Sequence, residues 1–216
     1  MANNCYFEMK IAGPEASVQE CVKMLRHEGP YLNGGLGRVF SFDVIDEPEK
    51  DPATGNIAIH GAGDCAWSIK SAIIEWSPFN LENVSERLGL VIEAYSSEPG
   101  CRFQEHVLVT QGNIEINECV DYDEHLIEGA EESYIQQVME EYNLTREELM
   151  SKVNDNGDFC VGGYENFGDF EDLFAYFEPE QKPSLSAQIS SAESRAEAAR
   201  STCNEKTPTQ EPEPTK

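Results

Sequence analysis

The chain has 216 residues, 41 of them acidic and 15 basic, giving a formal net charge of −26. That balance excludes a simple nucleic-acid binder, which must present Lys and Arg to phosphates, and it disfavours docking on an anionic membrane. Hydrophobic residues are 39% of the chain, a low share for a compact globule, so part of it is expected to lie outside the core.

The first segment, Cys5 to Ile11, alternates loosely and stops at Gly13-Pro14. It predicts a strand and a turn. Pro14 and Glu15 suit the first turn of a helix, where a missing N–H costs nothing and an acid meets the dipole. Val18, Cys21, Val22 and Leu25 then form one apolar stripe, and Gly29-Pro30 ends the helix. Val39 to Ile45 alternates as an edge strand, and Asn56 to His60 forms another short one. Asn33-Gly34-Gly35-Leu36-Gly37 lacks the Gly-Lys-Ser/Thr ending of a phosphate loop and predicts a flexible turn.

Ala66 to Ile74 predicts a strand, stopped by Trp76-Ser77-Pro78. Leu81, Val84 and Leu88 mark one face of a short helix ending at Gly89. Leu90 to Tyr95 and Phe103 to Thr110 are further strands, separated by a Glu98-Pro99-Gly100 turn in which Gly100 is expected to supply positive φ. Trp67, Trp76, Tyr95 and Phe103 are expected around one sheet, as its core and rim. The element order predicts an α+β fold, a βαββαβ antiparallel sheet with two helices on one face.

These residues carry a resemblance. Met1 to Cys5 with Gly13, then Trp76-Ser77-Pro78, then Tyr95-Ser96-Ser97-Glu98-Pro99-Gly100-Cys101-Arg102-Phe103, in that order, resemble the YubB-like ferredoxin-like domain family. The match covers Met1 to Asp121. It departs from the family pattern at Asn4, Phe79 and Gln104, where an aromatic, a proline and a glycine are usual. The resemblance implies a ferredoxin-like fold and a phage or plasmid setting, and no activity.

Past Gly112 the composition changes. Asn113 to Val120 predicts one more strand, and from Gly112 to Glu180 there are 20 acidic residues against two basic ones, Arg146 and Lys152. Such a block repels itself or seeks a partner. Ile135, Val138, Met139 and Tyr142 predict a helix over Glu131 to Tyr142, and Thr145 with Glu148 predicts a capping box. Asn154 to Asp158 fails the EF-hand spacing and predicts a turn. Tyr164 to Phe177 alternates aromatics with acids, a pattern that either docks on a basic partner or covers a sheet with its aromatics. Tyr164, Glu165, Asp169, Phe170, Glu171 and Asp172 are the candidate partner-binding residues. Ala187 to Arg200 predicts a polar helix, and Thr202 to Lys216 a disordered tail. The expected domains are therefore 1–121 (ferredoxin-like), 122–180 (acidic helical extension) and 181–216 (polar tail).

The seven cysteines include no Cys-x-x-Cys pair, and Ala2 to Glu8 lacks a basic start and a long apolar run. This predicts a reducing, cytoplasmic setting with free thiols. No window approaches the ~18 apolar residues of a membrane helix. The four histidines are not in zinc spacing, and there is no nucleophile elbow, P-loop or dinucleotide fingerprint. Neither catalytic residues nor a cofactor are predicted.

The function expected from sequence is a non-enzymatic binding protein. Its acidic surface would meet a protein with a basic surface, with imitation of nucleic acid to inhibit a host nuclease or defence complex as the sharper form. The alternatives are an enzyme in which Cys65 converges with His60 and His106, near Asp64 and Glu105, and a structural or virion-assembly protein.

Overall fold

A computed structural model describes residues 4–32, 38–73 and 80–177. The Trp76-Ser77-Pro78 motif, the glycine-rich turn at 33–37 and the expected tail elements lie outside these residues.

The sheet is built around its first strand. In β1 (Asn4–Gly13), Cys5, Phe7, Met9 and Ile11 alternate onto one face and are fully buried. β1 pairs antiparallel with β4 (Ile57–Ala66), from Asn4↔Ala66 to Gly13↔Ile57, and on its other side with β5 (Val91–Glu98), from Tyr6↔Ser97 to Ala12↔Val91. Outside β4 lie β2 (Val39–Val44) and the two-residue β3 (Glu49–Lys50). Outside β5 follow β6 (Phe103–Thr110), β7 (Asn113–Leu126) and β8 (Asp158–Gly162). The eight-stranded order is β2-β4-β1-β5-β6-β7-β8, with β3 on β4, and every pairing is antiparallel.

α1 (Glu15–Leu25) buries the predicted stripe of Val18, Cys21, Val22 and Leu25. α3 (Leu81–Leu88) starts at Asn80, whose side chain accepts the Asn83 N–H at 2.8 Å, and ends at Gly89 with φ 65°. With α2 (Ile69–Ile73), these helices pack on the inward residues of β1, β4, β5 and β6 in one core. A separate cluster of Ile127, Ile135, Val138, Leu149 and Phe159 joins α4 (Glu132–Glu141) and α5 (Arg146–Met150) to β8. The capping box of Thr145 and Glu148 opens α5 as the spacing predicts.

The fold is α+β, but it is not the plain βαββαβ sheet expected. The meander through β6, β7 and β8 adds three strands to the sheet, and β7 runs through residue 121 without a break. The predicted strand at Ala66 to Ile74 is also corrected. β4 ends at Ala66, Trp67 turns the chain with φ 69°, and α2 follows. Trp67 is 49% exposed and forms no part of the core. In the Glu98-Pro99-Gly100 turn, positive φ falls on Arg102 (59°), not on Gly100.

Candidate functional site: an acidic strap on the open sheet face

The sheet face opposite the helices is covered by the chain itself. Residues 163–177 form a strap across it. Leu173 is 1% exposed and packs with Ala12, Ala58, Val91 and Leu108, with Phe174, Tyr176 and Phe177 around it. Tyr95 projects from β5 into the strap. Its ring centroid lies 5.8 Å from that of Tyr164, 5.5 Å from Phe167 and 5.6 Å from Phe170, and it stacks on His106 at 4.1 Å. Two glycines allow the close approach. Gly163 (φ 78°) turns the chain in, and a Cβ there would sit 2.6 Å from Gln104 Oε1. At Gly168 (φ 79°) a Cβ would sit 2.8 Å from Glu8 Oε2. A side chain at either position meets both a steric and a conformational obstacle.

Beneath the strap lies a fully buried carboxylate. Glu93 Oε1 is 2.8 Å from His106 Nε2, and Glu93 Oε2 accepts the backbone N–H of Glu171 at 2.9 Å. Gln104 Oε1 accepts the Tyr164 N–H at 2.8 Å. A buried acid is costly unless hydrogen-bonded, and these contacts supply that bonding.

The six candidate residues divide by direction. Tyr164 and Phe170 turn in, while Glu165, Asp169, Glu171 and Asp172 are exposed. Between Gly163 and Phe177 no Lys or Arg accompanies those four acids. Glu171 and Asp172 also have local duties. Glu171 accepts the Tyr176 hydroxyl at 2.6 Å, and Asp172 caps Phe174 N–H at 3.1 Å. The negative field shows in the phenols. Burial, then Glu93, Asp169 and Glu171, push the Tyr95 hydroxyl up to about 12. The bond to Glu171, then burial, pushes Tyr176 to about 12. Among the motif residues, Tyr95 is buried under the strap, Phe103 packs beside the helical core, and Glu98 accepts the Cys101 N–H within the Pro99–Cys101 turn.

The convergence of Cys65 with His60 and His106 does not form. Cys65 is fully buried in the core beneath the helices. His60 lies five positions back on the same strand and so faces the other way, with Nδ1 2.8 Å from Asp46 and its ring 5.1 Å from Phe170. Glu105 also faces the helix side, where the Ser68 and Ser96 hydroxyls each donate at 2.8 Å. Among the described residues, no group of three or more His, Cys, Asp and Glu is placed to hold a metal ion. The six described cysteines are free thiols. No described helix is long and apolar enough to cross a membrane.

No family model, curated protein or solved structure matches the chain.

One constellation had no signal in the sequence. His125, 6% exposed, has Nδ1 2.9 Å from the Tyr134 hydroxyl and Nε2 3.2 Å from that of Tyr142 and 3.3 Å from Asp123. Arg102 reaches Asp123 at 3.2 Å and Glu141 at 3.1 Å, at the edge of a cleft of about 350 Å³. Both ring nitrogens of His125 are engaged, so proton exchange with a substrate would require a conformational change first. The arrangement ties β7 to α4.

Proposed function

We propose that this chain is a non-enzymatic binding protein that presents a fixed acidic surface to a protein with a basic one. The observation that supports this is the division within the strap. Its aromatics are spent on the sheet, and its acids stand outward on a scaffold. Acids fixed on a scaffold lose less freedom on binding than acids in a loose tail, and they steer a basic partner from a distance.

A sharper form follows from the same charge. An acidic surface that occupies the basic channel of a nuclease or defence complex would compete with nucleic acid. The arrangement β1–α1–β2–β4–α3–β5, with order β2-β4-β1-β5, supports reading the first half as ferredoxin-like. With the motif at Tyr95 to Phe103, it favours a YubB-like relative from a phage or plasmid, acting in the cytoplasm of its host.

The test is affinity capture of the full chain from cell lysate at about 0.05 M and about 0.5 M salt, since exposed charges are screened at the higher value. A captured basic protein is then titrated with the Glu165→Lys/Asp169→Lys variant. These two acids are chosen because Glu171 and Asp172 also hold the strap together. Affinity at low salt is expected to fall by about tenfold or more. Binding indifferent both to salt and to the reversal sinks the proposal.

A further inference from the structure

The two ends of the sheet differ. At β2, Arg26 Nε donates to the Phe42 carbonyl at 3.0 Å, and His27 Nε2 lies 2.7 Å from the Val39 carbonyl. That end is occupied by side chains from the end of α1 and the turn after it. At the other end β8 covers only the Tyr122 to Leu126 part of β7. The first part of β7, Asn113 to Val120, is paired on its β6 side alone among the described residues.

Which backbone groups face outward follows from two hydrogen bonds. The Tyr122 N–H reaches the Arg102 carbonyl at 3.0 Å, so Tyr122 points its backbone toward β6. The Asp121 carbonyl accepts the Gly163 N–H at 2.9 Å, so Asp121 points outward. The register is unbroken from Phe103↔Asp121 to Leu108↔Ile116. Antiparallel backbone groups alternate direction. Cys119 and Asn117 therefore present N–H and C=O outward, and both residues are exposed.

Open edges invite pairing, and proteins blunt them with charge and bulges. This edge has both. Asn113 to Leu126 contains Glu115, Glu118, Asp121, Asp123 and Glu124 with no Lys or Arg, and the register shifts at Leu108/Val109 opposite Glu115. Acids that repel a second copy of the same strand attract a strand of opposite charge. We infer that the outer edge of β7 between Asn113 and Val120 is a docking edge for an extended, Lys- or Arg-bearing segment of the partner, which joins the sheet as an added strand. The inference rests on the basic-partner reading above. It adds the mode of attachment: main-chain hydrogen bonds at Asn117 and Cys119 fix the segment, and Glu115 and Glu118 select its charge.

The probe is a synthetic peptide in which lysine alternates with valine, with a glutamate-for-lysine peptide as control. Amide exchange of the full chain is followed with and without peptide. Slowing by about tenfold or more at Asn117 and Cys119 is expected with the lysine peptide and absent with the control. Asn117→Pro removes one outward N–H without breaking the ladder to β6, the setting in which an edge strand accepts proline. It is expected to weaken peptide binding by about tenfold or more while the melting transition is retained. Salt-sensitive binding with no slowing at those amides overturns the added strand and leaves the acidic-surface reading standing. No binding at low salt counts against both. Should the proline variant fold poorly, the amide pattern of the unaltered chain still decides.

Discussion

Glu93 Oε2 accepts the backbone N–H of Glu171 at 2.9 Å while its other oxygen holds His106 at 2.8 Å. One buried side chain thus connects β5 and β6 to residue 171, far along the chain. The position of the exposed acids depends on contacts of this kind.

Glu93→Gln keeps the shape and removes the charge. Hydrogen bonds to a charged group contribute about 1.5–3 kcal/mol, and an amide retains part of this. The urea midpoint should fall by an amount equivalent to about 1–2 kcal/mol, and exchange at the Glu171 amide should speed up. A raised midpoint would mean that removing a buried charge outweighs the lost bonds, and the carboxylate would then not be what holds the strap.

Leu173→Ala opens the small core between strap and sheet. Large-to-small changes at buried leucines cost about 2–5 kcal/mol. A loss near the lower end is expected, because a strap can collapse toward the sheet more readily than a helix can. Limited proteolysis should then cut within residues 163–177 before any other described segment. An unchanged cleavage pattern would show that the aromatics alone suffice.

Acid should loosen the junction of β7 and α4. Burial disfavours the charged form of Asp123, but the Tyr142 hydroxyl, His125 and Arg102 outweigh it, so its carboxyl titrates below the ordinary aspartate value. A depressed folded value means stability that is fully present above the unfolded pKa, about 4, and is lost as pH falls through the lower folded value. Melting temperature should drop below about pH 4, and Asp123→Asn should flatten that acid limb while lowering stability at pH 7. Parallel pH curves for the two proteins would contradict the assignment.

Gly63→Ala tests the seating of β2. A Cβ at Gly63 would run into the Ser41 backbone carbonyl, beside the register shift between Val39 and Ser41. Overpacking of this kind costs about 1–3 kcal/mol. The loss should appear as faster exchange in Val39 to Val44 with β1 unaffected. Uniform loosening of the whole sheet would speak against a local clash.

The sequence was legible where one local device sufficed. The α1 stripe, the Gly89 stop and the Thr145 capping box each depend on residues a few positions apart. Ala66 to Ile74 reads as a strand because short apolar runs fit a strand or a helix equally, and what decides against it is the left-handed turn at Trp67. The positive φ at Arg102 is likewise invisible in sequence, since its stabilising partners, Asp123 and Glu141, lie far along the chain. In the candidate site, the alternation of aromatics and acids was visible. Which face they cover was not, because it is set by the pairing of β1, β4, β5 and β6, segments far apart in the chain. His125 gave no signal because its tyrosine partners stand on α4 and at its end, and only the packing of that helix against β7 brings them to the ring.

The placement of β1 has a consequence for synthesis. β1 leaves the ribosome before both of its neighbours, and these, β4 and β5, end only at Ala66 and Glu98. Phe7, Met9 and Ile11 emerge long before either neighbouring strand, with only α1 at hand to cover them. The β5–β6–β7 meander, joined by short turns, needs only nearby residues to pair, and local pairings form faster than distant ones. The nascent chain therefore has a vulnerable interval, with an apolar strand waiting for its partners, and chaperone occupancy during translation should concentrate there.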